Sequence, residues 1–376
     1  MIKRQLTALL ESRLKDRKAL VVLGPRQTGK TTLLNDLLHD KEQVLYLNAD
    51  DPDVRLQLER ITAKGWRDLI GNYRFVFLDE AQRVSDIGVK LKLITDQFSD
   101  VKLLVSGSSA LELANEMNEP LTGRKWEHLL LPITWREWCD HIGALEADRE
   151  LEQRLVLGMY PEVLTRPNDA TDVLRELSGS YLYRDLLGFR GIRKPALLEQ
   201  LLRALAFQLG SEVSLNELGQ LLGVDKNTIA TYMDLLEKAF IIHPLSSFKR
   251  NLRNELTTAR KVNFVDNGIR NAVIGNYAPF SKRTDKGALW ENFLISERRK
   301  LHNNERWHGS MYFWRTTDQR EIDLVEDVDG QLSAFEFKWS PTAKSRIPLT
   351  WKRAYPDSES TVIHKANYLR FLGVGR

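Results

Sequence analysis

Cys139 is the single cysteine in the 376 residues. A lone cysteine excludes an intramolecular disulfide and leaves too few thiolates for a cysteine-based zinc site, and it fits a reducing compartment. No apolar run is long enough to span a bilayer. The opening Met1-Ile2-Lys3-Arg4-Gln5-Leu6 has no apolar signal core, so a cytoplasmic protein without a membrane partner is expected. A strong charge of either sign is missing as well: 55 Lys and Arg against 51 Asp and Glu leave +4, so local clusters must decide what the chain binds. What is present is the composition of a globular chain, 42% hydrophobic and 28% charged, with length for two or three domains.

Gly24-Pro25-Arg26-Gln27-Thr28-Gly29-Lys30-Thr31 fits Gly-x-x-x-x-Gly-Lys-Ser/Thr at every constrained position. The apolar run Ala19–Leu23 before it predicts a buried strand, and Thr31–Leu38 after it predicts a helix, which is the context a phosphate-binding loop needs. ATP with Mg²⁺ is the expected cofactor. Gly24, Pro25, Arg26, Gln27, Thr28, Gly29, Lys30, Thr31 and Thr32 would cradle its phosphates, Lys30 would reach the β- and γ-phosphates, and Thr31 would ligate the metal. A second apolar strand, Tyr73–Leu78, ends in Asp79-Glu80. Asp79 is the expected partner of the Mg²⁺ shell, and Glu80 the general base that deprotonates the attacking water.

Around this centre, Ile2 to about Lys18 predicts a leading helix with Leu6, Leu9, Leu10 and Leu14 on one face. Gln43–Asn48 predicts a strand followed by a turn at Asp50-Asp51-Pro52-Asp53, and Val101–Val105 a buried strand ending in Ser106-Gly107-Ser108-Ser109. A hydroxyl there either senses the γ-phosphate or caps the next helix; Ser108 is taken as the sensor. Strands alternating with helices imply a parallel sheet with helices on both faces. Asn115 to Trp126 reads as a loop carrying Arg124, which is either a surface arginine or one offered to the γ-phosphate of a neighbouring subunit in a homo-oligomer.

From Trp135 to about Lys194 the pattern is helical. Leu215–Leu222, the turn Gly223-Val224-Asp225 and Lys226–Leu236 then form a helix-turn-helix pattern, with Leu218, Val224, Ile229 and Leu235 inward. Ile241–Leu245 and Lys261–Val265 would be two wing strands. Lys226, Asn227, Thr228, Thr231 and Tyr232 would face a DNA groove, unless the module only packs. Basic residues gather at Lys249, Arg250 and Arg253 with Arg260-Lys261, at Lys282-Arg283 and at Arg298-Arg299-Lys300; each is a phosphate-binding patch or a solvated face.

Met311–Arg315, Glu321–Val325 and Leu332–Trp339 predict three strands, the last two joined by the turn Asp329-Gly330. Alternation sets Glu336 and Lys338 on one face. Asp323 and Glu336, with Glu291 from the expected helix Leu289–Leu301, are candidate Mg²⁺ ligands, and Lys338 would stabilise a metal-activated hydroxide for phosphodiester hydrolysis. A surface salt bridge is the plainer reading of the same residues.

These residues resemble prokaryotic AAA-like P-loop ATPases whose C-terminal domain is similar to the PD-(D/E)XK nuclease superfamily. The marks are the phosphate loop, Leu78-Asp79-Glu80-Ala81-Gln82, Ser106-Gly107-Ser108-Ser109, Leu121-Thr122-Gly123-Arg124, Tyr160-Pro161-Glu162, Phe264-Val265-Asp266-Asn267-Gly268 and the Asp323, Glu336, Lys338 set. The superfamily's proline-aspartate pair is absent, since Ile322 precedes Asp323. The resemblance implies an α/β chain: an ATPase domain with a parallel sheet over residues 1–140, a helical and winged-helix segment over 141–280, and a small α/β nuclease-like domain over 281–376. The expected function is a Mg²⁺-dependent ATPase that binds DNA, with the C-terminal site either cutting it or holding it, or else an ATP-controlled binding switch whose nuclease-like part is a scaffold.

Overall fold

Among the described residues the first part of the chain forms five parallel strands, four of them from short apolar runs: β1 (Ala19–Leu23), β2 (Val44–Asn48), β3 (Phe75–Asp79), β4 (Lys102–Gly107) and the more polar β5 (Lys125–Leu129). Their order is β2-β3-β4-β1-β5. The computed structural model describes residues 1–108, 120–181, 194–249, 260–316, 318–343 and 347–375. They fall into two units, Met1–Pro132 with Lys238–Phe240, and Ile133–Glu237 with Ile241–Arg376.

β1 is buried along its whole length because both faces of its sheet are covered. Leu20, Val22, Phe77 and Leu104 meet Leu33, Leu34, Leu37 and Leu38 of helix Lys30–Leu38 and Leu6 and Leu10 of helix Leu6–Arg13. Val21, Val76, Leu78 and Val105 on the other face meet Trp66 and Ile70, and Ile87, Leu91 and Ile94. This is the expected doubly covered parallel sheet. Since all five strands run the same way, the loops after β1, β3 and β4 emerge at one edge, where ligands of open α/β sheets bind.

Two local expectations need correction. The turn expected over Asp50–Asp53 is shorter: Asp51 N donates to Asn48 O (3.0 Å), and a helix then starts at Pro52, where Asp51 accepts from Asp53 N (2.9 Å) and caps Pro52–Glu59, with proline in the first turn where it lacks nothing the helix needs. The loop expected as far as Trp126 ends earlier, since Lys125 and Trp126 already pair with Ala19 and Leu20 in β5; Asn115–Glu119 lie outside the described residues.

The second unit holds a seven-stranded sheet in the order β12-β11-β10-β9-β7-β8-β6. Its strands are β6 (Glu212–Val213), β7 (Ile242–Ser247), β8 (Arg260–Phe264), β9 (Ser310–Arg315), β10 (Glu321–Val328), β11 (Gln331–Phe337) and β12 (Glu359–Ile363). The sequence reading drew a line between residues 280 and 281, yet strands on its two sides share this sheet, because β7 pairs in parallel with β9 at Ser246↔Tyr312 and Ser247↔Phe313. Helices Leu215–Leu222 and Lys226–Lys238 stand where the helix-turn-helix pattern put them, and helix Lys286–Glu305 contains the expected Leu289–Leu301. Among the described residues no helix is long and apolar enough to cross a membrane.

Asp266 ties this unit together. Its carboxylate accepts from Met159 N (2.7 Å), Gly268 N (2.8 Å) and Ile269 N (3.2 Å), so it caps helix Asn267–Val273 and fixes the Gly158-Met159-Tyr160 bend in one step. Asn267 donates to Leu155 O and Leu289 O (3.0 Å each), and Asn271 to Val156 O (2.8 Å). Gly158 has φ +73°, and a Cβ there would lie 1.9 Å from Asp266 Oδ1. Gly158→Ala is therefore expected to cost about 3 kcal/mol, from backbone strain and displacement of a buried carboxylate. Denaturant unfolding of the two proteins measures it, and equal midpoints would show that the bend relaxes freely.

Candidate nucleotide site and C-terminal acidic cluster

The loop after β1 is set by close backbone approach. Gly24 lies against the chain after β5, where a Cβ would come 2.1 Å from Leu130 O, and Leu130 N donates to Leu23 O at 2.7 Å. Gly29 opens helix Lys30–Leu38 in the left-handed region, with φ 89°. Lys30 is 4% exposed and its ammonium donates to Gly24 O (3.0 Å) and Pro25 O (2.8 Å), while Thr28 Oγ1 donates to Pro25 O (2.9 Å). Arg4 holds the loop from outside, donating to Thr28 O (2.7 Å) and Leu131 O (2.6 Å). Arg26 is half-buried, Gln27 and Thr32 are exposed, and Gln27 has φ 57°.

Asp79, 4% exposed, stands at the end of β3 facing the start of that helix. Three hydroxyls surround its carboxylate. Thr31 Oγ1 donates to Oδ2 (2.9 Å) and Oδ1 (3.1 Å), Tyr46 OH to Oδ2 (3.0 Å) and Ser106 Oγ to Oδ1. Ser106 Oγ also accepts from Glu80 N (3.1 Å). The Tyr46 phenol is pushed up to about 12, by burial first and by the Asp79 charge second. Thr31 and Asp79 together present hard oxygen donors, the set that suits Mg²⁺. Glu80 has φ 52°, a left-handed backbone uncommon for a residue with a side chain. Its Oε2 accepts from Gln82 Nε2, which also donates to Ser108 Oγ (2.8 Å). Gln82 thus joins the expected base to the expected sensor. Sequence reasoning gave Gln82 no role, although its place two residues after Glu80 was part of the quoted motif.

Arg124 is not brought to this loop. Its carbonyl accepts from Ala19 N, at the start of β1, whereas the loop follows the end of β1, about 13 Å further on for five extended residues. Its guanidinium is paired with Asp96 of helix Ile87–Gln97.

In the second unit, oxygens of Glu291, Glu321 and Asp323 lie within 4.8 Å of one another. Glu291 and Asp323 were expected there; Glu321, two residues before Asp323 on β10, was not. Glu336 stands beside them, paired with Lys338 Nζ at 2.8 Å, and its Oε2 is buried without a partner. The largest omission is Lys261. It is 1% exposed, and its ammonium contacts Glu291 Oε1 (2.9 Å) and Glu321 Oε1. One ammonium serves several carboxylates, so both partners' pKa values rise. Lys261 is raised, against its burial, by Glu291, Asp323 and Glu321. Glu291 is pushed up to about 8, by burial and then by Asp323, against the pull of Lys261. Burial and the Asp323 charge likewise raise Glu336, and burial raises Asp323. Lys338 is raised by Glu336 and Asp323 in spite of its own burial.

Lys261 had been counted in a basic patch, and the structure removes it from one. Arg283 and Lys300 are also internal, paired with Asp285 and Glu297, and Arg298 pairs with Glu326. Lys249 is half-buried, and Arg250 and Arg253 lie outside the described residues. Of the expected groove-facing set, Lys226, Asn227 and Thr231 are exposed, and Thr228 is half-buried with its hydroxyl on Asp225 (2.6 Å). Tyr232 is 5% exposed and turned inward, a correction that follows from its spacing with Ile229 and Leu236 on the buried face.

Comparison with known proteins fits the first unit. Residues 16–139 match a family described as an AAA domain, and residues 148–279 and 286–371 match two families each described as a domain of unknown function (DUF8612 and DUF4143). Uncharacterized proteins of Mycobacterium tuberculosis and Mycobacterium bovis are 27% identical over 345 residues, 90% of this chain and 74% of theirs. A Walker-type ATPase of Pyrococcus abyssi aligns with TM-score 0.51 and 17% identity over 73% of this chain and 96% of that one, a likeness of fold. The first unit is a P-loop ATPase-type domain. The matches over residues 286–371 name no nuclease.

Removing the Lys261 ammonium strands buried carboxylates. Lys261→Met should lower stability by about 3–5 kcal/mol, the usual cost of breaking a buried pair from one side. Adding Glu321→Gln should restore part of it. Thermal unfolding of the single and double variants tests this, and a strictly additive double variant would count against the shared charge.

Proposed function

We propose that the chain is a Mg²⁺-dependent ATP hydrolase. The observation that carries this reading is the convergence of Thr31 and Asp79, hydroxyl and carboxylate from separate elements 2.9 Å apart at the mouth of a loop with the phosphate-binding sequence. Residues Gly24–Thr32 would hold the phosphates through backbone N–H groups, and Lys30 would exchange its loop carbonyls for phosphate oxygens. Mg²⁺ supplies charge neutralisation at the phosphates. Glu80, steadied by Gln82, would take the proton of the attacking water, and Ser108 would sit toward the γ-phosphate. Lys30→Ala should abolish ATP binding. Glu80→Gln should still bind ATP while kcat falls about a hundredfold or more. ATP binding and phosphate release measured on these variants decide it, and wild-type turnover in Glu80→Gln would remove Glu80 from the role of base.

We further propose that the helix-turn-helix binds DNA through Lys226, Asn227 and Thr231, the exposed residues of its second helix. The Glu291, Asp323, Glu336 and Lys338 group, with Glu321, is offered as a Mg²⁺ site for phosphodiester cleavage. A second reading, favoured by Lys261 already standing among these carboxylates as a counter-ion, is an ATP-controlled switch whose C-terminal part is a non-catalytic scaffold. A cleavage gel on single-stranded, double-stranded and forked DNA with Mg²⁺ or Mn²⁺, with and without ATP, separates the two. Cutting that Glu336→Ala abolishes supports the nuclease. DNA binding without cutting, with affinity falling steeply with salt, supports the switch.

A further inference from the structure

Tyr46 belongs to none of the phosphate-loop elements, yet its hydroxyl reaches the carboxylate that those elements serve. It lies on β2, the outer strand next to β3, opposite Phe77 and two residues short of the Asn48↔Asp79 pair. Its ring leans on Phe77 with centroids 5.2 Å apart, and its hydroxyl donates to Asp79 Oδ2 at 3.0 Å. The residue is 45% exposed, so this reach along the strand is not enforced by a closed core.

The other hydroxyls leave a clear task for it. Ser106 holds Oδ1, and Thr31 spans both oxygens. Thr31 is also the side chain expected to turn a lone pair to the metal, so its hold on Asp79 must adjust when the metal arrives. The Tyr46 hydroxyl is the donor on Oδ2 that does not have to move. We propose that Tyr46 is a positioning residue for the metal half of the nucleotide site, fixing the rotation of Asp79 so that its free lone pairs face the Mg²⁺ shell. The inference rests on the ATP-hydrolase reading and adds a residue from the neighbouring strand to it. It makes metal loading, rather than nucleotide contact, the step that depends on Tyr46.

Tyr46→Phe tests this cleanly, because phenylalanine keeps the ring on Phe77 and removes only the donor. The probe is a fluorescent ATP analogue, titrated with protein in EDTA and again at rising Mn²⁺. In EDTA the variant should bind the analogue as wild type does. The Mn²⁺ concentration that half-saturates the enhanced binding should rise about tenfold, the weight of one hydrogen bond to a charged acceptor. Superimposable Mn²⁺ curves would overturn the proposal. So would an equal loss in EDTA and in Mn²⁺, which would make Tyr46 a nucleotide contact. If wild type binds no analogue under either condition, the ATP-hydrolase reading itself falls, and the proposal with it.

Discussion

A buried carboxylate at the end of a parallel strand needs its rotation fixed and its oxygens hydrogen-bonded. Asp79 meets both demands through hydroxyls from β2, β4 and the helix after β1. Each of those elements is positioned by apolar contacts on the two faces of one sheet. The site is thus a product of the sheet order: β3 and β1 are kept apart by β4, which contributes Ser106 between them. Neutral donors suit this place, since they hold the carboxylate without cancelling the charge that a metal would meet.

The second unit solves a different problem with charge. Its long helix Lys286–Glu305 crosses a sheet and buries Lys300 with Glu297, while Arg298 on the same helix grips Glu326. Arg270 and Arg283 share Asp285, which their hydrogen bonds hold at about 2 against the effect of burial. Buried charges of this kind are tolerated only in pairs, and each pair fixes which element lies beside which. The same rule explains why Arg283, Arg298 and Lys300, taken from basic runs, serve as counter-ions to Asp285, Glu326 and Glu297.

Much of this was legible in the sequence where the signal is local. The phosphate loop, the strand ending in Asp79, the helix-turn-helix and the hairpin at Asp329-Gly330 all depend on spacing within about a dozen residues, and backbone geometry follows from such spacing. Lys261 and Glu321 escaped because their meaning is pairwise and distant. A lysine after an arginine reads as a solvated patch, and only the sheet, by setting β8 near β10 and helix Lys286–Glu305, makes it a counter-ion. Tyr232 was misplaced for a simpler reason: its polar end suggested a groove, while its period put it on the buried face. Asp50–Asp53 shows the ambiguity of short polar runs, which begin turns and cap helices with the same chemistry.

The continuity of the seven-stranded sheet bears on how the second unit can act. β7 is paired on both sides, to β8 by antiparallel register and to β9 in parallel, so β8 is tied through it to the sheet that carries Asp323 and Glu336. Lys261 lies on β8, with its ammonium inside the acidic cluster. The charge balance among Glu291, Glu321 and Asp323 therefore depends on where β8 sits, because Coulomb energies at contact distance vary steeply with separation. The seven-stranded sheet thus carries residues from both sides of position 280 into one acidic cluster, Lys261 from β8 and Glu321 and Asp323 from β10.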